Sequence, residues 1–456
     1  MTQSATSVRD WFLERFRRAV GDPRRFERRV GAELKFPLVR ADGAAADRES
    51  VDALWRFLEG KGWSVNRDEV SGKPVGARRP GERNDTVASC ETGYCKPEFS
   101  LAHAGDLFAL DRGIQELRAL LREFSDAQGA YFLGYGIQPV SAPGQALLMN
   151  QSRSGVWDKV CPSNRVLSKD QGDDVLLFTV NAASHVHVGV DMHEAVRAVN
   201  VLNAYAPAQI ALTADSSVWR GRADPEYLSV AEKLWDWWEP ARARSGLPPR
   251  AFRDLDEYVD AIAAYRPIYV KREAGPVVLP GYESFADYFA QTEAEGRDLA
   301  GNPVRVRPLP EDIDLHSSCY WYTARVSRYY TVENRACDQQ PPADLSCIAA
   351  LTLGLVSDLD RAWEAVRDYD WEALRAGRDA ACRDGLQARV AGRPVAELVR
   401  TMLDRATEGL KNRERGEEAF LAPLTARLEE GRCPGREARE RFAQGGAEAL
   451  VAARRL

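Results

Sequence analysis

Ser184-His185-Val186-His187-Val188-Gly189-Val190 alternates imidazole with valine. In a β-strand residues i and i+2 share a face. The stretch therefore predicts a strand with Val186, Val188 and Val190 turned into a core and His185 and His187 on the opposite side. Three further segments carry polar side chains at the same period: GAELKF (31–36), SCETGYCKPEFS (89–100) and TVENRACD (331–338). Glu33 shares a face with Lys35, and Glu333 with Arg335. On one sheet, the four segments would line a face with acid, imidazole and guanidinium. Such a face makes a poor hydrophobic core and suits metal ions and phosphates, which points to an enzyme that handles a magnesium nucleotide.

Each segment also has a plainer reading. Glu33 and Lys35 could be ordinary charges on an edge strand. Glu91 and Glu98 flank Gly93 and Pro97, so they lie either on a polar surface hairpin or on a bulge that aims both carboxylates at one point. One of the two histidines could be a satisfied core residue, because two His on a strand are a weaker metal signal than His-x-x-x-His on a helix. Glu333 and Arg335 could form a structural ion pair, or a metal-binding acid beside a guanidinium whose fork matches phosphate oxygens. Arg325, Arg328 and Arg220 add cations suited to anionic substrates.

The chain has 456 residues, 45% of them hydrophobic, and a formal net charge of −6. That length and composition allow a sizeable core and argue against global disorder. The acidic balance argues against nucleic acid as a partner. The longest apolar runs fall short of a membrane span. The 8 cysteines form no repeated CxxC pair, which argues against a zinc ribbon and fits reduced thiols in a cytoplasmic protein. Cys90 and Cys95 lie in the acidic segment, so a redox role is one reading of them and small apolar packing the other. GxxxxGK[ST], GxGxxG and GxSxG are all absent, so any nucleotide must be held by acidic strands and metal ions.

Along the chain, residues 7–29 read as charged helix stopping near Gly21-Asp22-Pro23. Residues 50–61 read as helix, 66–85 as a loop or hairpin, and 106–124 as a strongly amphipathic helix. Residues 130–140 read as a strand, and 176–190 as two apolar runs. Residues 191–214 read as a helix broken near Pro207. Residues 224–238 read as an aromatic-rich helix with Asp224 as N-cap, ending at Glu239-Pro240. Strand character returns at 266–278 and 315–338, and 346–376 and 395–456 are helical. This order predicts an α+β protein. The domain reading is a single catalytic domain over 1–456, with an N-terminal helical segment (1–29) and a helical tail (395–456) packed on it.

In order, these segments resemble the glutamate–cysteine ligase superfamily, in its plant-type and carboxylate–amine ligase branches. GAELKF resembles the family's G-x-E-x-E strand, and SCETGYCKPEFS its S-L-E-P-G-G-Q-x-E-L-S segment with one extra residue. FLGYGIQP resembles F-L-G-x-G-x-x-P, SHVHVGV resembles H-V-H-V-G, and LTADSSVWRGR resembles A-N-S-P-x-x-x-G. YTARVSRYYTVENRACD resembles W-D-x-R-P-x-x-x-x-G-T-V-E-x-R-x-C-D, and GEEAFLAPL resembles the start of the family's C-terminal tail. The resemblance implies a glutamine-synthetase-like fold: a curved, mostly antiparallel sheet of about six strands forming a funnel backed by helices. It implies ATP and Mg2+, with Glu33, Glu91, Glu98, His187 and Glu333 as metal ligands. It also implies that Arg335, Arg220 and Arg325 hold phosphate or substrate carboxylate, and that His185 supports the strand or the nucleotide. The implied reaction joins a carboxylate, foremost the γ-carboxylate of glutamate, to cysteine or another amine through an acyl phosphate, in a monomer or homodimer. Lys35 stands where the family has a second Glu, Asp215 where Asn is usual, and Val326 where Pro is usual. A cation cannot ligate magnesium, so Lys35 implies one metal site lost or reshaped, with Lys35 in contact with a phosphate or substrate carboxylate instead; the departures leave open a specialised pathway ligase with a different acid or amine. A non-catalytic binder and a metallohydrolase are the readings from other classes.

Overall fold

The computed structural model describes residues 7–21, 26–69, 71–81, 84–149, 151–160, 174–238 and 243–456. Its centre is an eight-stranded sheet: β1 Val30–Lys35, β2 Ser64–Arg67, β3 Pro74–Arg79, β4 Thr86–Cys90, β5 Pro97–Ser100, β6 Ala183–Gly189, β7 Ala324–Val326 and β8 Thr331–Asp338. The spatial order is β7-β8-β6-β1-β5-β4-β3-β2, and every neighbouring pair is antiparallel. The α+β class and the helix-backed antiparallel sheet are as expected, but the sheet has eight strands where about six were expected. The additional pair is β2–β3, an antiparallel hairpin that begins at Ser64 and runs into the 66–85 stretch, where a hairpin was one of the two readings. Gly76 lies within the hairpin's second strand: a Cβ there would lie 2.4 Å from the carbonyl oxygen of Ala88 on β4. The glycine marks a close approach inside the sheet rather than a loop.

The period of two sorts the central strands. Ala32, Leu34, Phe99, Val186, Val188 and Val332 are buried on the back face. Helices Ala195–Ala204, Ala206–Thr213 and Cys347–Ser357 pack against this side. The helix Cys347–Ser357 is buried from Cys347 to Val356 without a polar stripe, as befits a helix sandwiched between the sheet and the helix Val395–Lys411. The two helices touch at glycines, where a Cβ on Gly409 would sit 1.9 Å from the Gly354 carbonyl oxygen. Asn334 on β8 donates to Gln209 Oε1 (2.6 Å) and Thr352 Oγ1 (2.9 Å), tying the strand to both helices behind it.

Other expectations need correction. Only Tyr131–Phe132 of 130–140 is strand. Beyond it the backbone is satisfied by scattered partners, with Gly134 donating to Arg454 O and Gly136 to Asp215 O. Both glycines are crowded, since a Cβ would meet Gln340 O at 2.6 Å and Asp215 O at 2.9 Å. The run around Leu176 belongs to the 3-10 helix Asp174–Thr179. The aromatic helix begins at Val230, not after Asp224. The Asp224 carboxylate instead accepts from the backbone N–H of Glu226 and Tyr227 and from Trp219 Nε1, so it caps a turn. A second sheet of Tyr269–Arg272, Gly275–Val278, Ala294–Arg297 and Pro303–Val306 extends the strand reading at 266–278. The first helix stops at Val20 with Gly21 as its C-cap, at the expected Gly21-Asp22-Pro23, of which Asp22 and Pro23 lie outside the described residues, as does the stop expected at Glu239-Pro240.

The N-terminal helix Val8–Val20 carries a Ser7/Asp10 capping box and buries Phe12 and Phe16 against Tyr330. No described helix is long and apolar enough to cross a membrane. The seven described cysteines, Cys90 and Cys95 among them, are reduced and buried, and burial pushes the Cys95 thiol up to about 11.

Candidate active site

The front face of the sheet carries the polar alternation. Register sets it in rows: Glu333 lies opposite Arg325 on β7 and His187 on β6, Glu33 lies opposite His185 and Ser100, and Lys35 lies opposite Glu98. A bulge in β8 between Asn334 and Cys337 follows Glu333 and puts Arg335 beside His185, with Nη1 3.3 Å from Nδ1.

The rows bring Glu33, His187 and Glu333 together, with one ligating atom of each within 4.8 Å of the others. His187 Nε2 is 3.2 Å from Glu33 Oε1, and Nδ1 is 2.9 Å from the Thr331 hydroxyl, which fixes the nitrogen that faces the carboxylates. Glu333 is nearly fully buried. Arg325 Nε donates to its Oε2 at 2.7 Å and Arg335 Nη1 to its Oε1 at 2.5 Å. Against the cost of burial, Arg325 and Arg335 hold the Glu333 carboxyl well below the usual range. Against the same cost, Lys35 and His187 do so for Glu33. His187 moves up despite burial because Glu33 favours its cation, whereas burial, with Lys35 and Arg335 nearby, pushes His185 down to about 3. His185 is thus a neutral acceptor for Lys35 Nζ at 3.0 Å.

Lys35 bridges Glu98 (2.8 Å) and Glu33 (3.5 Å). Burial, with Glu33 and Glu91 close by, pushes Glu98 up to about 7 in spite of Lys35. The Glu33, His187 and Glu333 set offers two hard carboxylates and one imidazole, which fits a magnesium or manganese ion. Glu98 is committed to Lys35, and Glu91 lines the cavity beside it; neither belongs to that set.

One cavity joins Glu33, Lys35, Glu91, Glu98, His185, His187, Arg325, Glu333 and Arg335. Arg220 does not line it: this residue occupies a left-handed turn (φ +54°) with its guanidinium 3.9 Å over the Trp219 ring. The cavity also holds residues the sequence reading passed over. Lys96 donates to Phe178 O (3.0 Å) and Asn181 Oδ1 (2.9 Å), and burial brings its pKa down to about 8. Its only sequence signal was its place in the acidic segment. Facing the polar sheet is an aromatic wall of Trp157, Phe178, Trp235, Trp238 and Trp321. Trp235 and Trp321 stack at 5.9 Å, and Trp238 and Trp157 meet Trp321 at 5.3 and 5.7 Å. These residues come from four separate parts of the chain, so only the aromatic run at 235–238 was visible beforehand.

Residues 29–453 match the profile of Glutamate-cysteine ligase family 2 (GCS2). A Rubrobacter xylanophilus protein, provisionally named glutamate–cysteine ligase 2-3, is 27% identical over 331 residues, covering 71% of this chain and 75% of its own length. A Mycobacterium sp. protein provisionally named glutamate–cysteine ligase 2-2 is 25% identical over 371 residues, covering 80% and 87%. Among solved structures, the glutamate–cysteine ligase of Francisella tularensis in complex with AMP shares the fold, with a TM-score of 0.56, 12% identity and coverage of 93% of this chain and 86% of its own.

Proposed function

The chain belongs to glutamate–cysteine ligase family 2, and from that premise we propose that its polar face couples ATP hydrolysis to joining the γ-carboxylate of glutamate to the amine of a second small molecule. Family membership makes it an ATP-dependent ligase that forms a C–N bond. The observation that carries the finer reading is the Glu33, His187 and Glu333 set lying in one cavity with Arg325 and Arg335.

A carboxylate is a poor electrophile. Transfer of the ATP γ-phosphoryl group to a carboxylate oxygen breaks the β–γ bridge, releases ADP and leaves an acyl phosphate. An amine then attacks the acyl carbon, phosphate departs and the amine loses a proton. Magnesium held by Glu33, His187 and Glu333 would neutralise charge on the phosphoryl oxygens. Arg335 faces the cavity from β8 and can hold phosphate oxygens in a bidentate fork. Arg325 is pinned by Glu333 and by the Ser318 carbonyl (3.1 Å), so it orients Glu333 rather than reaching for substrate. Lys96, with its lowered pKa, stands beside Glu91 as a group able to take the proton from the amine.

The aromatic wall favours a second reading of the amine. Four tryptophans turned to one cavity match a flat apolar group better than the side chain of cysteine. One experiment addresses both readings: ADP release with ATP and magnesium across a matrix of acids and amines, with product masses. ADP release only with glutamate plus an amine, and a product one water lighter than their sum, is the expected result. ADP release with no acid present, or none with any pair, would count against the ligase reading. Highest kcat/KM for an aromatic amine, with its KM alone raised in Trp321→Ala, would select the second reading over cysteine.

A further inference from the structure

Lys35 and Glu98 face each other across the β1–β5 pair. An ammonium has three N–H donors, and Lys35 Nζ finds three acceptors: Glu98 Oε2 at 2.8 Å, His185 Nδ1 at 3.0 Å and Glu33 Oε2 at 3.5 Å. The residue is only 5% exposed and lies on a strand paired on both sides. Its charge is built into the sheet, unlike that of a surface lysine on a mobile stem. Among the described residues, one group of side chains is arranged to hold a metal ion, and it consists of Glu33, His187 and Glu333. The cavity carboxylates therefore divide. Glu333 sits with His187, Glu98 sits with Lys35, and Glu33 belongs to both sets. An ion placed between Glu33 and Glu98 would need the space that Nζ fills, and like charges in contact oppose it.

We propose that Lys35 is a tethered substitute for a second metal ion: its ammonium bridges Glu33 and Glu98, and the chain takes a divalent ion at Glu33, His187 and Glu333 alone. What that fixed cation serves, facing a phosphoryl or carboxylate oxygen of the substrates, rests on the ligase reading. The number of ions does not.

The test is a titration of the full chain with Mn2+ alone, followed by loss of the free-ion electron paramagnetic resonance signal. Wild type is expected to take up no more than one ion, Lys35→Arg the same number, and Lys35→Glu one more than wild type. Two ions on wild type, or equal counts for wild type and a folded Lys35→Glu, would overturn the proposal. A second pair of variants covers the case in which Lys35→Glu does not fold. Glu98→Gln should bind Mn2+ within about twofold of wild type, and Glu333→Gln at least about tenfold more weakly. A tenfold loss in Glu98→Gln would make Glu98 a ligand and overturn the proposal. No turnover is needed for these counts, so failure of the ligase reading would leave them standing.

Discussion

The carboxylate of Glu333 is shared between Arg325 on the neighbouring strand and Arg335 on its own. Glu333→Gln keeps the shape and removes the charge. It should lower kcat by about 10²–10³-fold, the usual cost of losing one group that stabilises charge in the transition state. It should also lower the thermal midpoint, because Arg325 is then buried without a counter-charge. Steady-state ADP release and a melting curve report the two effects, and near-normal kcat would remove Glu333 from the site. His316 sets a pH dependence away from the chemistry. It is buried, donates from Nε2 to Ile262 O at 2.7 Å, and stacks on Phe285 at 4.1 Å. Burial pushes its pKa down from 6.5 to about 4, so the unfolded chain binds the proton first. This contribution to stability is complete above pH 6.5 and lost as pH falls through 4. Between pH 7 and 5 the loss is on the order of 2 kcal/mol. His316→Gln should shrink that difference, measured as urea midpoints at the two pH values; an unchanged difference would rule His316 out as its source.

Two helices and the strand they support form the element most sensitive to a single methyl group. Gly409→Ala places a Cβ against the Gly354 carbonyl, and overpacking of this kind costs about 1–3 kcal/mol. The melting point should fall, while Gly416→Ala, at a position with open space, should fall only by the cost of its left-handed backbone. This element also shows what the sequence could tell. The front face was readable because period two survives any register, so Glu33 with Lys35, His185 with His187, and Glu333 with Arg335 had to share sides once those segments were strands. The pairing of Lys35 with Glu98 was not readable, because it depends on which strand lies beside β1 and at what offset. Gly134 and Gly136 stand in a stretch that reads as strand, and Gly76 in one that reads as loop or hairpin; all three are places where another backbone passes too close for a side chain. The tryptophan wall is a meeting of residues 157, 235, 238 and 321, which no local pattern encodes.

Across the whole molecule, one hydrophobic cluster extends from Phe12 to Leu456. Through it the N-terminal helix reaches the site: Phe12 and Phe16 pack on Tyr330 at 5.3 and 5.4 Å, and the Tyr330 hydroxyl donates to Asp314 at 2.7 Å. Tyr330 holds a left-handed backbone (φ +60°) directly after Arg328 and Tyr329, which line the cavity. Replacing both phenylalanines with alanine should let that turn relax and lower kcat/KM by up to about 10²-fold, as misplacement of a distant support does. An unchanged kcat/KM alongside a lowered melting point would confine the helix to a structural role. The buried cysteines carry a different consequence. With Cys161, outside the described residues, replaced by serine, each remaining thiol is hidden in the folded chain. A maleimide dye would then act as a clock for native-state opening. Its labelling rate, resolved by mass at Cys95, Cys337, Cys382 and Cys433, would show whether the sheet and the C-terminal helices come apart together or in turn.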